Sequence, residues 1–265
     1  MKIGIVGCAG RMGRMLVAEA IAGDGCTLIG GVEHGQSPFV GADVAALAGL
    51  DDSGLVVGSD TDALFAAADV VIDFTLPQAA IGHAEAAIKH GTALVIGTTG
   101  LGLAEQAAIE QAAEKVAIVQ AANFSLGVNL LMSLTAQVAG ILNQDFDIEI
   151  VEMHHRHKVD APSGTALALG QAAADGRGVD LESVSERVRD GHTGARIPGD
   201  IGFATLRGGD VVGEHSVIFA AEGERLELTH KASSRNLFAR GAVRAAMWCD
   251  GKPAGLYCMA DVLGF

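Results

Sequence analysis

Lys2-Ile3-Gly4-Ile5-Val6-Gly7-Cys8-Ala9-Gly10-Arg11-Met12-Gly13 decides how the first half of this chain folds. The apolar run from Ile3 to Val6 reads as a strand, and helical periodicity begins at once, from Met12 to Ile21. The spacing GxxGxxG departs from the commoner GxGxxG, but the physical jobs are the same. Gly7 makes the tight turn, Gly10 lets backbone N–H groups approach a pyrophosphate at a helix N-terminus, and Gly13 permits close helix packing. A Gly-rich turn with no ligand is the plainer alternative.

Outward from that stretch, short apolar runs at Leu28 to Val32, Leu55 to Val57, Val70 to Phe74, Leu94 to Ile96 and Val116 to Val119 read as further strands. Helical patterns at Gln78 to Lys89 and Ala104 to Lys115 alternate with them, which predicts a Rossmann-like, doubly wound parallel sheet covered on both faces. Glu33 lies just past the second strand, where a carboxylate accepts from the ribose hydroxyls of an adenosine; a solvated strand-end acid is the alternative. That placement favours NAD over NADP, while the neighbouring His34 tolerates a 2′-phosphate without strongly attracting it. Gly97-Thr98-Thr99-Gly100, Ala122-Asn123-Phe124 and Thr75-Leu76-Pro77 each follow a strand at the carboxyl edge of this sheet, and together they outline a floor for a nicotinamide.

Near residue 125 the texture changes. A helix at Asn129 to Leu142 leads into Asp147 to Met153, whose period of two marks a half-buried strand, and similar alternation recurs at Ile201 to Leu206, Val211 to Phe219 and Arg225 to Thr229. Strands so close together without crossover helices predict a second, α+β domain whose sheet pairs in antiparallel or mixed fashion. Leu237 to Trp248 reads as another helix, and the run Leu256 to Val262 either caps the second domain or returns to the first. Ala174 to Asp190, acidic and Gly-rich, is expected to be a mobile surface excursion, and Trp248 and Tyr257 are expected in the core.

The densest polar cluster is His154-His155-Arg156-His157-Lys158, followed by Asp160 and the helix start Pro162-Ser163-Gly164-Thr165. The histidines invite a zinc ion, but no HExxH or Cys partner accompanies them, and Arg156 with Lys158 would repel a cation, so no metal is expected. An anion site is the coherent reading: cations beside free helix N–H groups and hydroxyls suit a carboxylate, with a solvated basic loop as the alternative. His230, Lys231 and Arg235 are candidates to add positive charge to it.

Composition narrows the partners. The chain has 265 residues, enough for two domains, and carries 18 Lys plus Arg against 32 Asp plus Glu, a formal charge of -14. That balance opposes nucleic acid and an anionic membrane surface. Its 36 glycines follow no collagen period, and no apolar stretch is long enough to span a bilayer. Cys8, Cys26, Cys249 and Cys258 form no CxxC pair, and the opening strand does not read as a leader, so a reduced, cytoplasmic chain is expected.

The opening GCAGRMG, the GTTG at 97–100, the AANFS at 121–125 and above all EMHHRHKVDAPSGTA from Glu152 to Ala166 resemble the dihydrodipicolinate reductase (4-hydroxy-tetrahydrodipicolinate reductase) family of bacterial lysine and diaminopimelate biosynthesis. The resemblance covers essentially the whole chain. It implies an oxidoreductase that reduces 4-hydroxy-2,3,4,5-tetrahydrodipicolinate to tetrahydrodipicolinate with loss of water. It further implies a dinucleotide-binding domain at 1–125, a substrate-binding and homotetramer-forming domain at 126–235, and a segment at 236–265 that returns to the first. Cofactor contacts are implied for Gly7, Cys8, Ala9, Gly10, Arg11, Met12, Gly13, Glu33, His34, Gly97, Thr98, Thr99, Ala121, Ala122, Asn123 and Phe124. His154 is implied as the proton-transfer residue, with Lys158 as its partner or the donor itself, and His155, Lys158, Gly164 and Thr165 as ligands of the substrate carboxylates. In the family an Arg often follows the adenosine-binding acid; His34 stands there instead, so NADH is the expected donor and NADPH a second one. Two competitors stand: a related oxidoreductase acting on an amino or 2-oxo acid, and a redox sensor that binds NADH without turnover. A zinc hydrolase ranks behind both.

Overall fold

Apolar side chains at consecutive strand positions demand cover on both faces of a sheet, whereas alternation demands it on one, and this chain contains both kinds of strand. The computed structural model describes the backbone of residues 1–265 and every side chain but that of Asn143. In chain order the elements are β1 (Lys2–Val6), α1 (Arg11–Ala22), β2 (Thr27–Val32), α2 (Val44–Leu47), α3 (Thr61–Ala67), β3 (Val70–Asp73), α4 (Pro77–His90), β4 (Ala93–Ile96), α5 (Leu103–Ala113) and β5 (Ala117–Gln120). There follow α6 (Leu126–Leu142), β6 (Asp147–His154), α7 (Gly164–Arg177), α8 (Leu181–Val184), β7 (Ser185–Glu186), β8 (Ile201–Arg207), β9 (Gly213–Ala221), β10 (Glu224–Ala232), α9 (Asn236–Trp248), β11 (Gly255–Tyr257) and α10 (Met259–Leu263). The chain divides into two compact units, Met1–Ser125 with Asn236–Phe265, and Leu126–Arg235.

The first unit is a six-stranded sheet in the order β11-β5-β4-β3-β1-β2, parallel throughout. β1 is buried from Ile3 onward and β3 over its whole length, as their unbroken apolar runs require. Strand order reverses at β1, so the carboxyl ends of β1 and β3 form the switch point where such sheets bind ligands. Register then sets the loops: Val6 pairs with Val32 and Asp73, Asp73 with Ile96, and Ile96 with Gln120. The segments starting at Gly7, Glu33, Phe74, Gly97 and Ala121 therefore leave the sheet level with one another.

In the second unit, α6 and α7 pack over one face of a five-stranded mixed sheet, β10-β9-β6-β8-β7. β6 runs antiparallel to β9 and parallel to β8. Its alternation buries Ile148 and Ile150 against Val217 and Phe219 of β9 and Leu169 and Ala173 of α7. The same buried row continues as Glu152 and His154 on β6, with His215 beside Glu152 on β9, so the inner face turns from apolar to ionisable at one end.

Several expectations need correction. Leu55 to Val57 is not a strand: Val56 makes one isolated bridge to Asp43, and the connection from β2 to β3 carries α2 and α3 instead. Asp43 explains this, because its carboxylate caps α2 through Ala45 and Ala46 and also takes the N–H groups of Ser53 and Gly54, organising the segment around one side chain. Ala174 to Asp190 is no loose excursion; α7 continues to Arg177, the left-handed Gly178 ends it, and α8 and β7 occupy much of the rest. Trp248 and Tyr257 are half-buried rather than core, packed edge-on with ring centroids 4.9 Å apart, with the Lys252 ammonium 4.3 Å from the Trp248 ring centroid. The open choice for the C-terminal run resolves through β11, which adds to β5 of the first sheet. No described helix is long and apolar enough to cross a membrane.

Candidate functional site

In the first unit, Gly7 turns with φ +70°, a conformation L side chains avoid, and its N–H donates to the Val32 carbonyl at 2.8 Å. A Cβ on Gly13 would lie 2.1 Å from the Gly7 carbonyl oxygen, so α1 packs on the loop only with glycine there. Gly10 is the N-cap of α1 and supplies no side-chain cap, which leaves the helix end to offer its N–H groups outward. A cavity of about 840 Å³ opens over this end of the sheet, lined by Gly7, Ala9, Gly10, Glu33, His34 and Thr75 among others. Glu33 Oε1 accepts from the Ala9 N–H at 2.7 Å, which ties the acid to the loop. Arg14 joins the same corner, its Nε donating to the Ala9 carbonyl at 2.8 Å and its guanidinium 5.2 Å from the Phe39 ring centroid.

Not every residue of the glycine loop faces that cavity. Cys8 is 1% exposed and Gly13 is buried, so both sit beneath the loop, and burial pushes the Cys8 thiol up to about 12. Thr98 is buried as well and ties its hydroxyl to Asp73 at 3.0 Å, while Phe124 packs against Phe74 at 5.3 Å between ring centroids.

Sequence reasoning missed the group that fastens these loops. Asp73 is fully buried at the end of β3; its Oδ2 meets His83 Nδ1 at 2.7 Å, and its Oδ1 accepts from the N–H and hydroxyl of Thr75 and from Thr98. Burial pushes the Asp73 carboxyl up, but the His83 and Thr75 hydrogen bonds outweigh it and hold it below the usual range. The available signal was a lone acid closing an otherwise apolar run, Val70-Val71-Ile72-Asp73.

In the second unit the predicted residues gather around the end of β6. His154 is 9% exposed, and its Nδ1 meets Glu152 Oε2 at 2.6 Å. Glu152, 1% exposed, also accepts from Arg207 Nη1 at 2.8 Å, Arg207 Nη2 at 3.0 Å and the Ser163 N–H at 3.0 Å. Burial raises the Glu152 carboxyl, but the bonds from Arg207, His154 and Ser163 more than offset it and keep it below the usual carboxylate range. Ser163 caps α7 through Ala166, so Glu152 pins the helix start that carries Gly164 and Thr165 to the strand that carries His154. Lys158 pairs with Asp160 at 2.9 Å, and Arg207 Nη2 donates to the Asp160 carbonyl at 2.7 Å, which closes the loop between them.

His215 lies edge-on to His154 at 5.1 Å between centroids, its Nε2 3.2 Å from the Ser163 hydroxyl. Burial, and next the positive charge of His154, push its pKa down to about 4, so this imidazole stays neutral. Arg235 Nη2 lies 3.5 Å from His155 Nε2, and burial followed by the charge of Arg235 lowers the His155 pKa. Arg156 and His157 are exposed. Arg207 and His215 were not singled out in sequence; the period-two row from Ile148 through His154 does mark Glu152 as an inward acid. Together these groups hold an imidazole in fixed orientation beside cations and a helix N-terminus, which suits proton transfer to a bound anion.

Comparison with known proteins agrees with this architecture along the whole chain. The family pattern "Dihydrodipicolinate reductase, N-terminus" matches residues 1–124, and "Dihydrodipicolinate reductase, C-terminus" matches residues 127–263. A 4-hydroxy-tetrahydrodipicolinate reductase of Afipia carboxidovorans is 56% identical over 264 residues, covering 100% of this chain and 97% of that protein. One from Ruegeria sp. is 55% identical over 260 residues, covering 98% and 97%. Among solved structures, a dipicolinate-bound dihydrodipicolinate reductase from Paenisporosarcina sp. TG-14 superposes with a TM-score of 0.79 at 23% identity, covering 98% of each chain, and so shares the fold. With both halves matched and more than half of the residues identical to those of full-length relatives, the chain belongs to the dihydrodipicolinate reductase family.

Proposed function

We propose that this protein reduces 4-hydroxy-tetrahydrodipicolinate to tetrahydrodipicolinate with loss of water, a step of lysine and diaminopimelate biosynthesis, using a reduced nicotinamide dinucleotide. The observation that carries the reading is the buried Glu152–His154 pair beside the Lys158 loop and the start of α7. A dianionic imine substrate needs such a combination: cations for its carboxylates and a proton donor held in place.

The first unit fits the dinucleotide. Its cavity volume lies in the ordinary range for ligand sites, and its glycine loop leaves the N-terminus of α1 without a side-chain cap. Gly7, Ala9, Gly10, Arg11 and Met12 with Glu33 and His34 would hold the adenosine and pyrophosphate, and Gly97, Thr99, Ala121, Ala122 and Asn123 the nicotinamide end, with Cys8, Gly13, Thr98 and Phe124 supporting these loops from beneath. When bound, the dinucleotide supplies a hydride. The reaction also consumes a proton and releases water, and His154 supplies that proton. His155, Lys158, Gly164 and Thr165 hold the carboxylates; the Lys158 ammonium, paired with Asp160 in this structure, turns to the incoming anion. Lysine is the poorer proton donor at neutral pH, which leaves that task to the imidazole.

Glu33 makes NADH the preferred donor, because its carboxylate meets ribose hydroxyls favourably and a 2′-phosphate unfavourably. Arg14, bonded to the loop that Glu33 holds, keeps NADPH usable. The uncovered face of the mixed sheet, carrying Val151, Met153, Leu206 and Ile218, is the surface through which copies of the chain form a homotetramer. Four free cysteines fit a reducing cytoplasm. The test is the absorbance of NADH and of NADPH, followed in parallel with freshly generated substrate. Rapid oxidation, faster with NADH, is expected; tight dinucleotide binding without oxidation would overturn the assignment in favour of a sensor.

A further inference from the structure

His154 has two ring nitrogens, and the structure treats them differently. Glu152 carries four donors, two on each oxygen: Ser163 N–H and Arg207 Nη2 on Oε1, His154 Nδ1 and Arg207 Nη1 on Oε2. An ionised carboxylate only accepts, and four donors fill its lone-pair sites. Arg207 is a permanent cation bound to both oxygens, so the acid stays ionised and Nδ1 must present N–H to it. On the other side, Nε2 lies over the backbone of β9, where a Cβ on Gly213 would come within 3.0 Å of it. Glycine leaves a space of about methyl size beside that nitrogen.

We infer that Glu152, clamped by Arg207, is a positioning residue that locks the proton on Nδ1 of His154, making Nε2 the nitrogen that exchanges the catalytic proton into the space left open by Gly213. The inference rests on His154 being the proton-transfer residue. It assigns roles to Glu152, Arg207 and Gly213, none of which needs to touch the substrate. Every charged or titratable group facing His154 is consistent with it. Glu152 and His155 lie at its own strand end, Arg207 on β8, His215 on β9 and Lys158 in the following loop, with His230 of β10 next to His215. Of these, Glu152 is the one acid, so no second carboxylate competes for the ring. Neutral His215 is engaged with Ser163 through Nε2.

The experiment is long-range nitrogen–proton NMR on histidine-labelled protein, which reports the tautomer without turnover. Wild type is expected to show neutral His154 as the Nδ1–H form; the Nε2–H form in wild type would overturn the inference. In Glu152→Gln the single carboxamide oxygen goes to Ser163 and Arg207, and the amide NH₂ faces Nδ1, so His154 is expected to switch to Nε2–H. The expected kcat loss is about 10²–10⁴-fold with little change in KM for the dinucleotide. Glu152→Asp, which keeps an acceptor, should recover part of the kcat, and the limb of the kcat–pH profile set by His154 should move in Glu152→Gln but not in Gly213→Ala. An unswitched tautomer in a folded Glu152→Gln would also overturn the inference. Gly213→Ala should keep the Nδ1–H tautomer yet lose kcat, and full activity there would refute the role given to Nε2. Should wild-type His154 show the inferred tautomer while His154→Ala retains full turnover, the assignment of His154 fails and the locking geometry stands.

Discussion

Each unit buries one carboxylate–imidazole pair, and the two pairs do different work. Asp73–His83 in the first unit, at 2.7 Å, spends its remaining oxygen on Thr75 and Thr98, which belong to loops leaving the sheet edge. Glu152–His154 in the second, at 2.6 Å, spends its remaining valences on a permanent cation and on the first N–H of a helix start. The first pair lies under a site built mostly of backbone, where glycines and N–H groups receive the ligand and the acid keeps loops in place. The second lies within a site built of side chains, where the acid keeps a proton in place. The same carboxylate–imidazole hydrogen bond thus serves as a fastening or as a proton holder according to what surrounds the second ring nitrogen and the second carboxylate oxygen.

The largest expected effect breaks the fastening. His83→Ala leaves Oδ2 of the buried Asp73 carboxylate without its hydrogen-bond partner, and an unsatisfied buried charged acceptor costs about 3 kcal/mol or more. Denaturant unfolding should show that loss together with weaker dinucleotide binding, because Thr75 and Thr98 lose their anchor; a variant as stable as wild type would show that the pair fastens nothing.

Next in size is a pH effect confined to the second unit. The folded pKa of His215 is pushed down to about 4 from its ordinary value of 6.5, so on acidification the unfolded chain takes up this proton first. The stability carried by neutral His215 is therefore complete above about pH 6.5 and is lost as pH falls from there through 4, a total of about 2–3 kcal/mol. Thermal unfolding of wild type should weaken across that window, and His215→Gln, which retains a partner for Ser163 but does not titrate, should flatten the slope. Parallel profiles for the two proteins would remove His215 from the account.

The smallest effect sharpens the first site alone. His34→Arg places a permanent cation next to Glu33 and should raise kcat/KM with NADPH on the order of tenfold, the worth of a charge-assisted bond to phosphate. The NADH value should stay within about twofold, since that substitution leaves the second unit untouched.

The contrast between the units also explains how far the chain could be read in advance. β1, β3 and β4 announce themselves through continuous apolar runs, and Gly7, Gly10 and Gly13 announce a backbone site, because there the chemistry lies in local spacing. His154, Lys158 and the Ser163 helix start were equally visible, being contiguous. Arg207 and His215 were not: they reach Glu152 and Ser163 through the pairing of β6 with β8 and β9, across separations of more than fifty residues that no local pattern encodes. Asp73 and His83 are only ten residues apart and stayed hidden for another reason: one ends a strand and the other lies midway along α4, so the turn between the two elements decides that they meet. The missed helices α2 and α3 have a different cause, since they are short and owe their starts to the caps Asp43 and Asp60 rather than to an apolar stripe.

The most direct test of the division between a backbone site that binds and a side-chain site that transfers a proton is His154→Ala, with NADH affinity and turnover measured on the same preparation. The account predicts NADH binding within about twofold of wild type and a kcat lower by about 10²–10⁴-fold. Full turnover, or NADH binding lost in step with kcat, would contradict it.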